Sequence, residues 1–277
     1  MHRRLKSLFV LGVGFVAAQL AAAAPFFPVR MLPGGSFVVH VAETREQVKA
    51  TSSRADYCDQ PTATLSRFEV HRTTLQPGAK PHEAHRHERE EMMILLEGEL
   101  EVLIEDTRTR IGAGSAFFVV SNDLHGVTNV GTQRASYLVL NFYTPEGVKI
   151  PPAQQPAIAS SLWQWTTLPV SSAPRVETRD FVSAPTRTMP KFAMQALTLQ
   201  PGAPGHGGRL AEEQFVIVKD GEMEAVADSE AVRLRAGDLF FVASGQVFRW
   251  RQVGDVPVTY YIVRFRTPST PDLGTNR

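Results

Sequence analysis

The chain has 277 residues, with 29 Lys and Arg against 28 Asp and Glu and a formal net charge of +1. So even a balance gives no basic face for nucleic acid and no charge reason to seek a polyanionic surface. The single cysteine, Cys58, excludes an intrachain disulfide and reads as a buried structural thiol, so stability must come from the core.

The first 24 residues open with His2, Arg3, Arg4 and Lys6, run apolar from Leu8 to Leu20 and close on alanines before Pro25. That order is the grammar of a secretory signal peptide, expected as residues 1–23, with Ala21 and Ala23 at the small-residue positions. An uncleaved anchor is the alternative, because an apolar core of about 17 residues can marginally span a bilayer. Arg3-Arg4 is a weak pointer to the twin-arginine route. No later apolar stretch is long enough to cross a membrane, so no membrane contact is expected after cleavage, and the protein is expected to be periplasmic or secreted. The rest of the chain, about 250 residues, suffices for two small domains.

His40 and His71 come next, without ligand-like neighbours, and read as surface or satisfied core histidines. The stretch around residue 87 is different. His85 and His87 stand two apart, Glu91 lies four after the second, and His125 lies downstream in a strand-like segment. Imidazole nitrogen with one carboxylate suits a single divalent transition metal (Fe, Mn, Cu, Ni, Co or Zn) and suits Ca or Mg poorly, since those prefer oxygen. Residues two apart share a face on a strand but diverge by about 200° on a helix, so the two histidines converge only in extended chain. The charge-dense EAHRHEREEM also reads as a solvated helix face with i,i+4 pairs. The adjoining MMILLEGELEVLIED weakens the helical alternative, because its apolar run, acidic-Gly turn at Glu97-Gly98 and the alternation of Leu100, Val102 and Ile104 with Glu99, Glu101 and Glu105 are hairpin grammar. Strand parity sets Met93 on the face of Glu91, where an oxidisable thioether mildly favours a non-redox ion and core packing explains it equally well. Arg86 points away by the same parity. Arg89 shares the ligand face but falls at a bend, so neither arginine is placed over the site.

In these residues the chain resembles the cupin superfamily, whose first motif reads roughly G(x)5HxH(x)3-4E(x)6G and whose second reads G(x)5PxG(x)2H(x)3N. The first runs here from Gly78 through His85, His87 and Glu91 to Gly98, with one extra residue between Gly78 and His85. The second runs from Gly114 through His125 to Asn129, with Val120 and Asn122 where the family has Pro and Gly. The resemblance implies a small antiparallel barrel, open at one end, with the ion held inside by His85, His87, Glu91 and His125.

The chain also repeats itself. LQPGA occurs at Leu75 and again at Leu199, an offset of 124, and Gly98, Gly114 and Phe142 then match Gly221, Gly237 and Phe265 at an offset of 123. The resemblance thus extends to an all-β bicupin of two tandem double-stranded β-helix, or jelly-roll, barrels. Its expected division is a metal-binding domain over 36–150, a linker over 151–159 within the Pro-rich IPPAQQPA region, and a degenerate domain over 160–277. In the second copy the two histidines fall opposite residues among Gly208, Arg209, Leu210 and Ala211, while Glu91 falls opposite Gln214 and His125 opposite Phe248. Phe248, with Phe215, Phe240 and Phe241, is expected to fill that interior. The half so emptied is expected to pack on the first barrel, wall its mouth and serve dimerisation. His82 matches His206, and a hydrogen-bond donor behind the ligands, an alternative ligand or a structural role common to both barrels all fit it.

Four ligands on an ion that takes five or six leave positions for water, dioxygen or a bidentate small-molecule substrate. Glu91, the one acid among them, could release the ion and act as the catalytic base. The likeness to quercetin dioxygenase-like and pirin-like bicupins implies oxygen-dependent cleavage of a phenolic or enol-type substrate. Non-redox lyase, isomerase or decarboxylase chemistry on a small hydroxy- or keto-acid or sugar is the alternative. A non-catalytic module that binds a metal or metabolite is the third reading. Exposed barrel edges leave room for a homodimer.

Overall fold

The computed structural model describes residues 26–145 and 158–273, so the signal-peptide segment and IPPAQQPA lie outside the described residues. Among the described residues the chain forms β-strands and short 3₁₀ turns without an α-helix, as the alternating sequence predicts. Among the described residues no helix is long and apolar enough to cross a membrane.

Strands are numbered β1 to β22 in chain order. One seven-stranded sheet runs in the order β12 (Ser161–Trp163), β9 (Ala116–Val119), β6 (Glu90–Glu97), β11 (Ala135–Tyr143), β5 (Arg67–Leu75), β4 (Ser52–Gln60) and β3 (Glu46–Val48). A three-stranded sheet of β10 (His125–Asn129), β7 (Glu99–Ile104) and β8 (Thr107–Gly112) completes the first barrel. In the second, an eight-stranded sheet runs β1 (Val29–Met31), β2 (Phe37–Val39), β20 (Leu239–Val242), β17 (Glu213–Asp220), β22 (Val258–Arg266), β15 (Lys191–Leu199), β14 (Val176–Ala184) and β13 (Val170–Ala173). Its companion is β16 (His206–Arg209), β21 (Val247–Gln252), β18 (Glu222–Ala227) and β19 (Glu230–Arg235). The expected turn at Glu97-Gly98 joins β6 to β7. Gly98 sits at φ 81°, and a Cβ there would lie 2.6 Å from the Arg134 carbonyl oxygen, so only glycine fits.

Across the division expected at residues 36 and 160, each half lends strands to the sheet of the other. Phe37, Val38 and Val39 pair with Phe241, Phe240 and Leu239 in the second barrel, while Ser161 and Leu162 pair with Phe118 and Phe117 in the first. The physical reason is edge coverage. An apolar FVV strand, buried along its whole length, closes the open backbone edge of β20, and β12 does the same for β9.

The two large sheets meet across one aromatic core drawn from both halves. Phe68 packs on Phe215 at 5.4 Å and on Phe241 at 5.5 Å, and Phe142 packs on Phe192 at 5.8 Å. Each ring so buried contributes about 1.5–3 kcal/mol. Phe215 and Phe241 therefore lie between the barrels and not inside the second one, which corrects that part of the expectation. Adjacent Phe240, pointing the opposite way on its strand, does enter the second interior with Phe248.

A reciprocal clasp reinforces the junction. Buried Glu90 accepts hydrogen bonds from the Thr186 and Thr188 hydroxyls, both at 2.5 Å, and from the Arg187 amide at 2.9 Å. Its counterpart Glu213 accepts the same three from Thr62, Thr64 and the Ala63 amide, at 2.6, 2.6 and 3.1 Å.

Candidate metal centre

The site is assembled where a loop crosses the mouth of the first barrel. His85 and His125 exchange both backbone hydrogen bonds, each 3.0 Å, in an antiparallel bridge, so the chain at His85 is extended and the helical alternative falls away. His125 opens β10, and Glu91 is the second residue of β6. Asn122 adopts φ 67°, the left-handed conformation that the family's glycine would take, and its N–H donates to the His87 carbonyl at 2.8 Å. The departure from the second motif thus leaves the turn's shape intact.

The three imidazoles converge, each offering a ligand nitrogen within 4.8 Å of the others. Glu91 joins them, its Oε2 3.1 Å from His125 Nε2 and its Oε1 3.7 Å from His87 Nε2. His87 Nδ1 donates to the Arg89 carbonyl at 2.8 Å and His125 Nδ1 to the Asp123 carbonyl at 3.0 Å. A carbonyl can only accept, so Nδ1 carries the proton in both rings and the Nε2 lone pairs turn inward. His85 Nδ1, His87 Nε2, Glu91 Oε2 and His125 Nε2 are all buried without a hydrogen-bond partner. Acceptors facing acceptors at this separation call for a cation between them, and the donor set fits a divalent transition metal.

The electrostatics are mixed: burial would lower the His125 imidazole, but Glu91 and the Asp123 carbonyl outweigh it and raise it. Burial alone would raise the Glu91 carboxyl, but its contacts with His125 and His87 outweigh that and hold it well below the usual carboxylate range. Burial, with the nearby His125, His82 and His87, lowers His85 to about 4, which keeps its lone pair free for an ion. His82 stands edge-on to His85 at 4.4 Å but lies outside the convergent trio.

Above the donors opens a cavity of about 280 Å³. Met93, Val127, Tyr137 and Val139 make its apolar wall. The same sheet also carries polar residues that no spacing in the sequence assigns to a site, His71 pairing across β5 and β11 with Val139 and Glu69 with Asn141. His71, an ordinary histidine by its sequence context, lines the cavity and pairs with Glu69 at 2.6 Å. Arg89 also lines it, its Nε donating to Asn141 Oδ1 at 2.6 Å and its guanidinium reaching to 3.8 Å from Glu91. Arg86 turns out to Glu105 as parity requires, and His40 is satisfied by Asp238 at 2.8 Å. A signal for Glu69 and His71 is present in FEVHRTTL, since Phe68 and Val70 claim the core and their neighbours must then face the barrel interior.

The second barrel holds no such centre among the described residues. Gln214 accepts from Arg264 Nε at 3.2 Å, the same guanidinium meets His206 Nε2 at 3.1 Å, and Phe248 packs on Trp250 at 4.4 Å.

Two antiparallel barrels from a duplicated sequence, only one of them furnished with a convergent His/Glu donor set, define a two-barrel β protein with a single candidate metal centre among the described residues. The chain belongs to the cupin family: the cupin domain matches it twice, over residues 71–141 and 196–264. No curated protein sequence matches the chain. Among solved structures it is similar to protein Ylba from E. coli, with a TM-score of 0.70 and 12% identity over 89% of this chain and 96% of that one. It is similar also to AerE from Microcystis aeruginosa, with a TM-score of 0.63 and 14% identity over 82% and 98%. Oxalate decarboxylase from Lactobacillus farciminis, in its formate complex, gives 0.65 and 13% over 86% and 88%. Identities this low speak for a common bicupin fold and not for a common reaction.

Proposed function

We propose that the protein is an exported enzyme holding one divalent metal and acting on a small organic acid by non-redox lyase, isomerase or decarboxylase chemistry. One observation carries this reading: four buried acceptor atoms converge at the floor of a cavity whose wall presents Arg89 and the Glu69–His71 pair. A metal held by His85, His87, Glu91 and His125 would supply Lewis-acid polarisation of a substrate oxygen.

The remaining work falls to the chain. Arg89 spends its Nε on Asn141, which leaves the guanidinium's outer nitrogens for a substrate carboxylate. Met93, Val127 and Val139 add apolar surface to the cavity lining that keeps water from the reacting groups. Glu91 is enclosed between His87 and His125, so it serves as a ligand in this reading and the base is sought elsewhere. The oxalate decarboxylase neighbour acts, by its name, on a small acid, which is in keeping with this class at the level of analogy.

Export rests on the basic, apolar and alanine-rich order of residues 1–23. Self-association is proposed through the edge strands β3 and β13, where Val48 and Val170 are exposed. Light scattering of the mature protein tests the latter.

The deciding experiment is tag-free purification, elemental analysis and a panel of keto- and hydroxy-acids assayed under argon and under air. Equal turnover in both atmospheres is expected. Oxygen uptake on flavonols or catechols, with none of the acids turned over, returns the dioxygenase reading. Bound metal without turnover on any substrate returns the binding module.

A further inference from the structure

We propose that His71 is the proton carrier of this cavity, positioned by Glu69, and that its substrate is a small carboxylic acid with an acidic C–H beside a carbonyl. The proposal rests on the non-redox reading above and deepens it.

A glutamate and a histidine inside a β-barrel are costly unless paired. On β5 they are inescapably inside, because Phe68 and Val70 occupy the other face. Both Glu69 oxygens are used: Oε1 accepts from His71 Nδ1 at 2.6 Å and from Arg54 at 2.7 Å, and Oε2 accepts from the Asn141 amide. Burial would raise this carboxyl, but His71, Asn141 and Arg54 outweigh it and draw it down to about 2. A carboxylate only accepts, so His71 carries a proton on Nδ1, and its neutral form keeps the lone pair on Nε2. A sealed pair would be merely structural. His71 instead lines the cavity shared with His85, Glu91 and His125. The other charged or titratable groups around that space are Glu69 beside it on β5, Arg54 on β4, Tyr137 on β11, and Arg89, His82 and Lys49 from the loops.

The duplication supplies an internal control. At the same offset of 124, Arg54, Glu69 and His71 become Thr178, Ala193 and Gln195, and Asn141 becomes Arg264 at the later offset of 123. The fold stands without the pair, and the pair is lost in the copy that lost the metal ligands. The pair and the ligand set are thus present together in one copy and absent together from the other.

In the step inferred, the C–H bond beside the substrate carbonyl breaks and its electron pair stays on the substrate as an enolate. The proton joins the Nε2 lone pair, and the resulting imidazolium is stabilised by Glu69. The same proton returns to that carbon or a neighbouring one, so nothing is oxidised or reduced and no co-reactant is consumed.

The test uses the mature metal-bearing protein with pyruvate, 2-ketobutyrate and 2-ketoglutarate in D2O, read by proton NMR for deuterium entering beside the carbonyl. Wild type is expected to exchange at least about 100-fold faster than His71→Gln, the size of a lost general base, with metal content unchanged in the variant. A second readout needs no turnover: nitrogen-15 NMR should show His71 protonated on Nδ1, and Glu69→Gln should disturb that signature while retaining the metal. Exchange that survives in His71→Gln overturns the role of His71 and leaves the non-redox reading standing. A proton found on Nε2 in place of Nδ1 also overturns it. No exchange by wild type with any of the three acids overturns both the proposal and the substrate class beneath it.

Discussion

Asn141 and Arg264 occupy the same place in the duplicated last strand, and they face Glu91 and Gln214 respectively across their sheets. The first barrel sets a neutral amide beside its carboxylate and brings a guanidinium, that of Arg89, only to 3.8 Å from it, whereas the second carries the guanidinium on the paired strand itself. Arg264 reaches Gln214 and His206, so a cation of the chain lies beside the position matching Glu91. Its charge is disfavoured by burial, which lowers it from the usual arginine value.

That exchange predicts metal stoichiometry. Tag-free protein should carry about one transition-metal ion per chain, and His125→Ala should carry almost none while its circular dichroism stays β-rich. Elemental analysis finding two ions would contradict the assignment of an ion-free second barrel.

Glu213 predicts a cost in stability. Glu213→Ala leaves the Thr62 and Thr64 hydroxyls and the Ala63 amide without their acceptor at the junction of the barrels. Urea unfolding should show a loss on the order of 3 kcal/mol. A change under about 0.5 kcal/mol would mean that water replaces the carboxylate there.

Two carboxyls predict opposite dependence on pH. Glu69 is lowered to about 2 in the fold, so its contribution is present above the unfolded value near 4.3 and is lost as pH falls through the range to about 2. Burial raises Glu213 against its hydrogen bonds from Thr62 and Thr64, so its contribution is present below about 4.3 and is lost as pH rises through its folded value. Unfolding free energies measured between pH 2 and pH 7, each with the Glu69→Gln or Glu213→Gln variant alongside, should lose the acid-side slope in the first and the opposing slope in the second.

Arg89 predicts a defect in binding rather than in metal loading. Arg89→Gln should keep about one ion per chain and weaken small carboxylates by roughly tenfold or more, the worth of one charge-assisted hydrogen bond. Calorimetric titration with pyruvate measures this, and an unchanged affinity would remove Arg89 from the substrate's path.

The donor set was legible because its four members obey spacings within short segments: a strand period for His85 and His87, a motif for Glu91, and a second motif for His125. The Glu69, Asn141 and Arg89 network was not, since its members meet only through the pairing of β5, β11 and β6, where Asn141 lies opposite both Glu69 and Glu91. Register across three strands leaves no mark at fixed spacing in one sequence. Phe215 and Phe241 fall in a different core from the expected one for a related reason, because a strand between two apolar layers gives both faces the same composition and parity alone cannot name the layer.

The strands traded between the halves determine what can be cut. A break between residues 145 and 158 would leave the N-terminal piece with β1 and β2 but no β20 to receive them, and would strip β12 from β9. Either fragment alone would expose bare sheet edges and half of an aromatic interface, whereas the two together retain every pairing. The chain is therefore expected to melt as one unit, and the half with the candidate metal centre to fold only with its twin present.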